Sequence, residues 1–384
     1  MHRLLYIGQT PAEGTGSPVI VLRHLQRLAA AGWRISIIAE SGQDISACRQ
    51  AHWTVRTLPL RRAWWPPFRR NLPLARGVRT WLLAGECHRL TAAHPPDAVM
   101  GYLAAHDDFY PEIAARFAER YHVPLSLLIH DHGAAFETTA QEKSRLQRRH
   151  TWMLRRAHRC WFASPELALA FGRPADTQSV LPPIPADRTR FGEWRESYGL
   201  WPRVYYAGSI WPAQFPLLGK IALLLAEAGA CLVVITRPTP ALAEFLRSCP
   251  SCPMVHMKPF RTNQEALQHL AREAAGLLVS YADTVGQMPW TATSFPSKLV
   301  EYTQLGLPCA IVAPPDSAVG RWAQRDGYAD FFAPAELNRL VAWARDLRSE
   351  SAWQQHSKRS RLLADGEFSP ERIQATFAAG LLRP

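Results

Sequence analysis

The chain has 384 residues, of which 47% are hydrophobic and 20% are charged. This composition excludes a disordered or fibrous protein, and the length fits two domains of about 190 residues each. The net charge is +12, and residues 1–192 carry 25 Lys and Arg against 15 Asp and Glu, so +10 of it lies in the first half. A basic first half favours an anionic partner, such as a nucleotide, a lipid surface or a nucleic acid, although an ordinary solvated surface has the same composition.

In chain order, the first half alternates between predicted strands and helices. Ser17 is the predicted N-cap of the first helix, with Pro18 in its first turn and Gly32 after its end. The other predicted elements are strands over 3–7, 35–39, 98–102, 124–129 and 159–163, and helices over 109–120 and 141–156.

The same alternation restarts after residues 181–185, the densest proline cluster. Strands are predicted over 204–207, 231–236, 276–280 and 309–313, and helices over 217–228, 241–247, 264–273, 296–305 and 370–382. We therefore expect an α/β protein of two Rossmann-like, doubly wound domains that face a cleft. The expected domains are 1–183 and 184–366, with a C-terminal helix within 367–384 that packs back toward the first domain.

A glycine-containing loop joins the first predicted strand to its helix. Gly14 and Gly16 lie just before that helix, where backbone N–H groups favour anions and glycine lets a ligand approach closely. The spacing matches neither the dinucleotide fingerprint G-x-G-x-x-G nor a P-loop, which disfavours a dehydrogenase. Ordinary turn chemistry is the alternative reading of these glycines.

A run of ionisable residues, His130, Asp131 and His132, directly follows the strand predicted to end at Ile129. Active sites form at the carboxyl ends of parallel strands, so His130 is a candidate to contact a substrate or accept a proton. No nearby cysteine or glutamate cluster completes a metal site. A structural cap on the strand remains the alternative.

The most specific pattern is the segment from Ser294 to Glu301. Pro296 lies in the first turn of the predicted helix, and Ser297 and Lys298 stand at its beginning, where free N–H groups and a positive charge favour phosphate. Glu301 lies one turn further on nearly the same face, well placed for the two hydroxyls of a ribose. An amphipathic helix with a surface Lys–Glu pair is the alternative.

With its following Gly-Leu-Pro, this segment resembles the donor-binding helix of GT-B glycosyltransferases, and is most similar to the large retaining family 4. The resemblance covers most of the chain and identifies Glu301 with the second glutamate of the family motif E-x7-E. The first glutamate falls at Thr293, and the family's arginine after the second-domain glycine, here Gly208, falls at Ser209. Both are departures from the family pattern. For the missing arginine charge at Ser209, Lys298 is the candidate replacement and Lys220 a weaker one.

A second basic feature combines arginine with tryptophan between two predicted elements. Such a mixture suits a membrane interface or a lipid acceptor, although a solvated loop and single-stranded nucleic acid are alternatives. The residues of this arginine–tryptophan segment are Arg61, Arg62, Trp64, Trp65, Arg69 and Arg70. We expect the basic helix over 141–156 to extend the same face.

The resemblance implies a glycosyltransferase that moves a sugar from a UDP- or GDP-linked donor to a glycan or lipid-linked acceptor in polysaccharide assembly, with retention and without a metal or other cofactor. A non-catalytic scaffold and a sugar-nucleotide epimerase on the same fold are the alternatives. No apolar run approaches the about 20 residues of a membrane span, and a signal peptide's apolar run is absent. The scattered, odd set of seven cysteines favours a reducing compartment. We expect a cytoplasmic location, with peripheral contact at the inner membrane face.

The resemblance and the spacing together give one set of donor-binding candidates. These are Gly14, Gly16, Gly208, Ser209, Thr293, Ser294, Phe295, Pro296, Ser297, Lys298 and Glu301.

Overall fold

The computed structural model describes residues 1–14, 16–58, 73–104, 108–137, 139–173, 179–188, 190–249 and 252–382. The chain divides into two compact units. The first comprises Met1–Leu181 with Ile373–Pro384, and the second comprises Pro182–Arg372.

The first unit is built on a sheet whose inner strands are buried along nearly their whole length. Because helices cover both faces of such a parallel sheet, its strands are continuous apolar runs rather than alternating ones. The strands are β1 (Arg3–Gly8), β2 (Arg34–Glu40), β3 (Thr54–Leu58), β4 (Ala98–Leu103), β5 (Leu125–Ile129) and β6 (Arg159–Phe162). The helices are α1 (Ser17–Ala30), α2 (Ser46–Gln50), α3 (Pro73–Thr91), α4 (Phe109–Tyr121), α5 (Ala140–Arg156) and α6 (Pro165–Ala170).

The second unit repeats this architecture. Its strands are β7 (Arg203–Ala207), β8 (Cys231–Ile235), β9 (Met254–Met257), β10 (Gly276–Ser280), β11 (Cys309–Val312) and β12 (Phe331–Phe332). Its helices are α7 (Glu196–Leu200), α8 (Phe215–Glu227), α9 (Pro240–Ser248), α10 (Asn263–Glu273), α11 (Ser297–Thr303), α12 (Ala318–Arg325), α13 (Asn338–Asp346) and α14 (Glu350–Asp365). A last helix, α15 (Pro370–Ala379), continues from the second unit into the terminal part of the first.

Both sheets have the same strand topology. The described strands run in the order β3-β2-β1-β4-β5-β6 in one unit and β12-β11-β10-β7-β8-β9 in the other, and every neighbouring pair is parallel. This is the doubly wound order, in which the winding reverses between β1 and β4 and between β7 and β10. The prediction of two Rossmann-like α/β domains is confirmed.

The start of α1 differs from the sequence prediction. Gly16 is the N-cap, with φ +86°, and Ser17 is the first helical residue. A positive φ is available to glycine without strain, so the chain makes its turn one residue earlier than a serine cap would.

The end of α15 is anchored by an aromatic contact inside the first unit. The buried Phe377 ring lies 4.1 Å from the His24 ring and 4.7 Å from the Trp161 ring, measured between centroids. Burial lowers the pKa of His24 to about 4, so the ring is neutral at pH 7 and its Nδ1 lies 2.8 Å from Gln374 Oε1. This contact attaches the last helical turns to the first unit.

Candidate functional site

The second unit gathers its predicted donor-binding residues where the strand order reverses. β7 and β10 are neighbours there and run parallel, so the loops that leave their carboxyl ends lie at one edge of the sheet. Gly208 and Ser209 follow β7, while residues 293–296 lie between β10 and α11. Ligands of doubly wound sheets bind at such reversals.

Lys298 is held against the end of β7 by Tyr206. Its Nζ donates a hydrogen bond to the Tyr206 hydroxyl and lies 3.7 Å from the centroid of the same ring. That hydroxyl in turn donates to the backbone oxygen of Ser209 at 2.7 Å. An aromatic ring attracts a cation without neutralising it. Among the described residues no carboxylate pairs with Lys298, so its positive charge is available to an anionic ligand.

Gly208 is the residue that allows this arrangement. A Cβ at this position would lie 2.7 Å from Lys298 Cε, and the backbone has φ +127°. Any larger residue would therefore be strained and would displace the lysine side chain. The weaker candidate of the sequence, Lys220, forms an exposed ion pair with Asp283 at 3.7 Å instead.

Glu301 is fixed by two donors from distant parts of the unit. Its Oε1 accepts a hydrogen bond from Asn263 Nδ2 at 2.7 Å, and its Oε2 accepts one from the backbone N–H of Ala186 at 3.4 Å. Asn263 is the first residue of α10, and Ala186 follows the proline cluster. These contacts orient the carboxylate, whose two oxygens offer about four lone-pair sites.

Helix α11 is shorter than the predicted helix over 296–305. Pro296 is its N-cap with an extended ψ of 110°, and the helix ends at Thr303, before Gly306 with φ +61°. The buried Tyr302 hydroxyl accepts a hydrogen bond from the backbone N–H of Ala207 at 2.8 Å. Burial raises the pKa of Tyr302 well above its usual range, so this phenol stays neutral and ties α11 to the end of β7.

The residues that lead into α11 contact either the backbone of Trp290 or the core. Thr293 Oγ1 donates to the backbone oxygen of Trp290 at 3.4 Å, and the backbone N–H of Ser294 donates to the same oxygen at 2.8 Å. Phe295 is buried in the core against Trp322, at 5.8 Å between ring centroids. Phe295 therefore shapes the segment from within the core.

Ser297 is the exposed first residue of α11, and Ser209 is exposed after β7. Ser297 directly precedes Lys298 in α11, and Ser209 lies three residues after Tyr206 of β7. The structure thus brings the serines, Gly208 and Lys298 to one edge of the second unit.

His130 lies at the carboxyl end of β5 in the first unit. Its backbone N–H donates to Leu103 at the end of β4 at 2.9 Å, and its ring centroid is 5.0 Å from that of Tyr102. Burial, and then the neighbouring His24, lowers the pKa of His130 to about 3. The imidazole is therefore neutral at pH 7. Within the described residues its buried Nε2 has no hydrogen-bond partner, a feature expected of a group that meets a ligand or water.

Gly14 and Gly16 also belong to the first unit. Both have positive φ, +132° and +86°, and a Cβ at either would meet nothing within 4 Å. Backbone conformation, rather than a close approach to another described residue, explains glycine at these positions.

The arginine–tryptophan segment, residues 61–70, lies outside the described residues, and so does Thr15. Two arginines of the basic helix α5 are engaged within the first unit. Arg149 pairs with Asp108 at 2.6 Å, and Arg156 pairs with Glu119 at 2.6 Å. These arginines are neutralised by carboxylates of the same unit.

Asp108 is the centre of a buried ion-pair cluster. Arg76 binds it at 2.9 Å and binds Glu112 at 2.6 Å, while Arg149 completes the cluster. Burial opposes ionisation of Asp108, but the two guanidinium groups outweigh it and hold its pKa below the usual range. The charges of Arg76 and Arg149 thus stabilise the fold.

Among the described residues, no helix is long and apolar enough to cross a membrane. No group of three or more His, Cys, Asp and Glu side chains in that part of the chain is arranged to hold a metal ion.

Sequence comparison bears on the first unit. Residues 15–183 match the glycosyl transferase 4-like domain. The match covers most of the first unit. A comparison of the sequence with the curated proteins found no match.

Solved structures share the architecture of the whole chain. A glycosyltransferase from Rickettsia africae has a TM-score of 0.67 at 8% identity, over 98% of this chain and 97% of that one. Anabaena HepE in complex with UDP has a TM-score of 0.64 at 12% identity, over 99% of both chains. A UDP-N-acetylglucosamine 2-epimerase has a TM-score of 0.56 at 12% identity, over 99% of this chain and 97% of that one. These likenesses show the fold, and the chain has the GT-B fold.

Three residues of the second-unit site were not predicted from the sequence. Tyr206 supports Lys298, Asn263 orients Glu301, and the backbone N–H of Ala186 also donates to that carboxylate. An asparagine at the start of a helix is usually explained as a cap, although here Thr262 is the N-cap and accepts from the backbone N–H of Glu265. Because the cap is already complete without Asn263, this second polar residue was the signal in the sequence that Asn263 has another role.

Proposed function

We propose that this chain is a glycosyltransferase that takes its sugar from a nucleotide-diphosphate donor bound by the second unit. The observation that carries the proposal is the placement of Lys298. Its ammonium is held by Tyr206 against Gly208, one helical turn before an oriented Glu301. An unneutralised cation beside a fixed carboxylate fits a diphosphate joined to a ribose, which carries two hydroxyls.

In this proposal Lys298 binds the diphosphate and offsets the charge that develops on the leaving group as the glycosidic bond breaks. Ser297 supplies a hydroxyl at the same edge. Glu301 accepts hydrogen bonds from the ribose hydroxyls, and Asn263 holds the carboxylate in position for them. Fixed groups of this kind lower the barrier because they need no reorganisation during the reaction.

His130 is proposed to contact the transferring sugar. Because its low pKa keeps the ring neutral at pH 7, it can donate or accept one hydrogen bond but does not supply an acidic proton. Retention at the anomeric carbon and independence from metal ions remain predictions of the family resemblance. The UDP in the HepE structure supports UDP as the first nucleotide to test, with GDP as the second.

The proposed acceptor is a glycan or a lipid-linked glycan of polysaccharide assembly. The sequence supports it through the arginine–tryptophan segment and the +10 charge of residues 1–192. Arginine near an anionic surface contributes about 1 kcal/mol per residue, screened by salt. Co-sedimentation with anionic vesicles should therefore be strong at low salt and weaker at high salt. A wild-type protein that stays in the supernatant at low salt would refute the peripheral membrane part of the proposal.

Calorimetry with UDP, GDP and ADP tests the donor site. Lys298→Ala should weaken binding of the preferred nucleotide by about 10- to 100-fold, because a hydrogen bond to a charged group contributes about 1.5–3 kcal/mol. Glu301→Ala should weaken it through loss of the ribose contacts. Lys358→Ala removes an exposed lysine of α14 and should change nothing. Unchanged affinity in both site variants would refute the assignment.

Turnover separates the proposed transferase from its two alternatives. The glycosyl transferase 4-like domain of the first unit favours transfer, whereas epimerase neighbours make epimerisation the alternative to exclude. The protein should release nucleoside diphosphate from a donor in an acceptor-dependent way. A changed sugar configuration on an intact nucleotide sugar would indicate an epimerase, and nucleotide binding without turnover of any donor would indicate a scaffold.

A further inference from the structure

A pair of tryptophans lies on the two loops that meet at the strand reversal of the second unit. Trp211 follows β7 and Trp290 follows β10, and their ring centroids are 4.9 Å apart with planes inclined at 55°. The Trp211 side chain is 47% exposed. Since tryptophan is costly to leave in water, an exposed indole beside a candidate site is a feature to explain.

Trp211 is connected through Gln214 to Tyr206, the residue that holds Lys298. The buried Gln214 side chain accepts from the backbone N–H of Trp211 at 2.9 Å and donates to the backbone oxygen of Ser280 at 2.7 Å. Its amide also lies 3.5 Å from the Tyr206 hydroxyl, the partner of Lys298. One side chain therefore connects the end of β10, the Trp211 loop and the lysine support.

Trp290 is fixed by its backbone to the segment that enters α11. Its carbonyl oxygen accepts from the backbone N–H groups of Thr293 at 3.1 Å and Ser294 at 2.8 Å. The chain then passes Lys298 before it reaches Glu301. Because Gln214 joins the Trp211 backbone to Tyr206, the support of Lys298, a group attached to a diphosphate at Lys298 lies within reach of the tryptophans.

We propose that Trp211 and Trp290 form the subsite for the donor sugar and hold its pyranose ring by the C–H face. This inference rests on the proposed function. The faces of indole rings are apolar and electron-rich, so they suit the C–H face of a pyranose. Arg321 donates to the backbone oxygen of Ala292 at 3.3 Å, two residues from Trp290, so the subsite does not exclude an acidic sugar by charge. The tryptophans contribute apolar contact with the ring face.

The test compares a nucleotide sugar with its nucleoside diphosphate by calorimetry on the full chain. UDP, UDP-glucose, UDP-galactose, UDP-N-acetylglucosamine, UDP-glucuronic acid, GDP and GDP-mannose are the probes. In the wild type the preferred sugar, neutral or acidic, should add affinity over the nucleoside diphosphate. Trp211→Leu and Trp290→Leu should each lower the affinity for the preferred nucleotide sugar about five- to tenfold, while affinity for the nucleoside diphosphate stays unchanged.

Two further variants control this experiment. Trp211→Phe keeps an aromatic face and should restore part of the sugar-dependent affinity. Trp201→Leu removes another exposed tryptophan of the same unit, 54% exposed, and should have no effect. Equal losses for sugar nucleotide and nucleoside diphosphate, or no loss in either Trp211→Leu or Trp290→Leu, would overturn the subsite. Absence of nucleoside diphosphate binding in the wild type would instead refute the proposed function, and this inference with it.

Discussion

Replacing Gly208 by alanine perturbs the candidate site through one added methyl group. The new Cβ would lie 2.7 Å from Lys298 Cε, and the backbone would have to keep φ +127° with a side chain. Such a backbone conformation costs about 1–3 kcal/mol for a non-glycine residue. Because the clashing atom belongs to a flexible side chain, we expect Lys298 to leave the Tyr206 ring rather than the unit to unfold.

The expected effect on binding follows from the displaced ammonium. Loss of one charge-assisted contact with a phosphate, about 1.5–3 kcal/mol, weakens nucleoside diphosphate binding about 10- to 100-fold. The melting temperature should fall by about 2–10 °C for a unit of this size. Calorimetry gives the first quantity, and thermal unfolding followed by circular dichroism gives the second.

Gly327→Ala is the matched control for backbone strain. Gly327 also has positive φ, +61°, but a Cβ there would meet nothing within 4 Å. This variant should lose stability and keep its nucleotide affinity. If Gly208→Ala binds the preferred nucleoside diphosphate as the wild type does, the geometry assigned to Lys298 does not position a phosphate ligand.

Three other predictions concern the Asp108 ion pairs, the titration of His356 and the role of His130 in turnover. Asp108→Asn leaves two half-buried arginines short of their buried partner and should destabilise the protein by about 3 kcal/mol in urea unfolding. Glu86→Gln breaks an exposed pair and should change little; equal effects of the two variants would refute the ion-pair argument. Burial lowers the pKa of His356, but its hydrogen bond and charge attraction to Asp330 outweigh this and raise it above the usual value. The stabilisation by protonated His356 is therefore complete below about pH 6.5 and lost as pH rises through the raised pKa. The difference in stability between wild type and His356→Gln should shrink from pH 6 to pH 9. A difference that grows with pH would contradict a raised pKa for His356. His130→Ala should lower turnover far more than nucleotide affinity, and normal turnover would make His130 a structural residue.

The fold was predictable where the hydrophobic pattern is strong. β1, β4 and β5 are short apolar runs between turn signals, and the sequence predicts each within one or two residues. β3 was not predicted, because it is an edge strand with mostly exposed polar residues. An edge strand is specified by its hydrogen bonds to β2, which a local pattern does not contain.

The candidate site likewise has residues that the local sequence predicts and residues that it does not. Lys298 and Glu301 could be paired from the sequence because they lie one helical turn apart. Asn263 and Ala186 could not, because they are 38 and 115 residues from the Glu301 carboxylate that they orient. Likewise, the composition of α5 indicates a basic surface, whereas Arg149 is paired with the buried Asp108 of another element.

A crystal structure of the full chain soaked with UDP, or with GDP if calorimetry prefers it, tests the central claim most directly. We predict a phosphate oxygen within hydrogen-bonding distance of Lys298 Nζ and ribose hydroxyls on the Glu301 carboxylate, with Asn263 still bonded to it. A nucleotide bound away from both side chains, at a concentration that saturates the protein in solution, would contradict the proposed donor site.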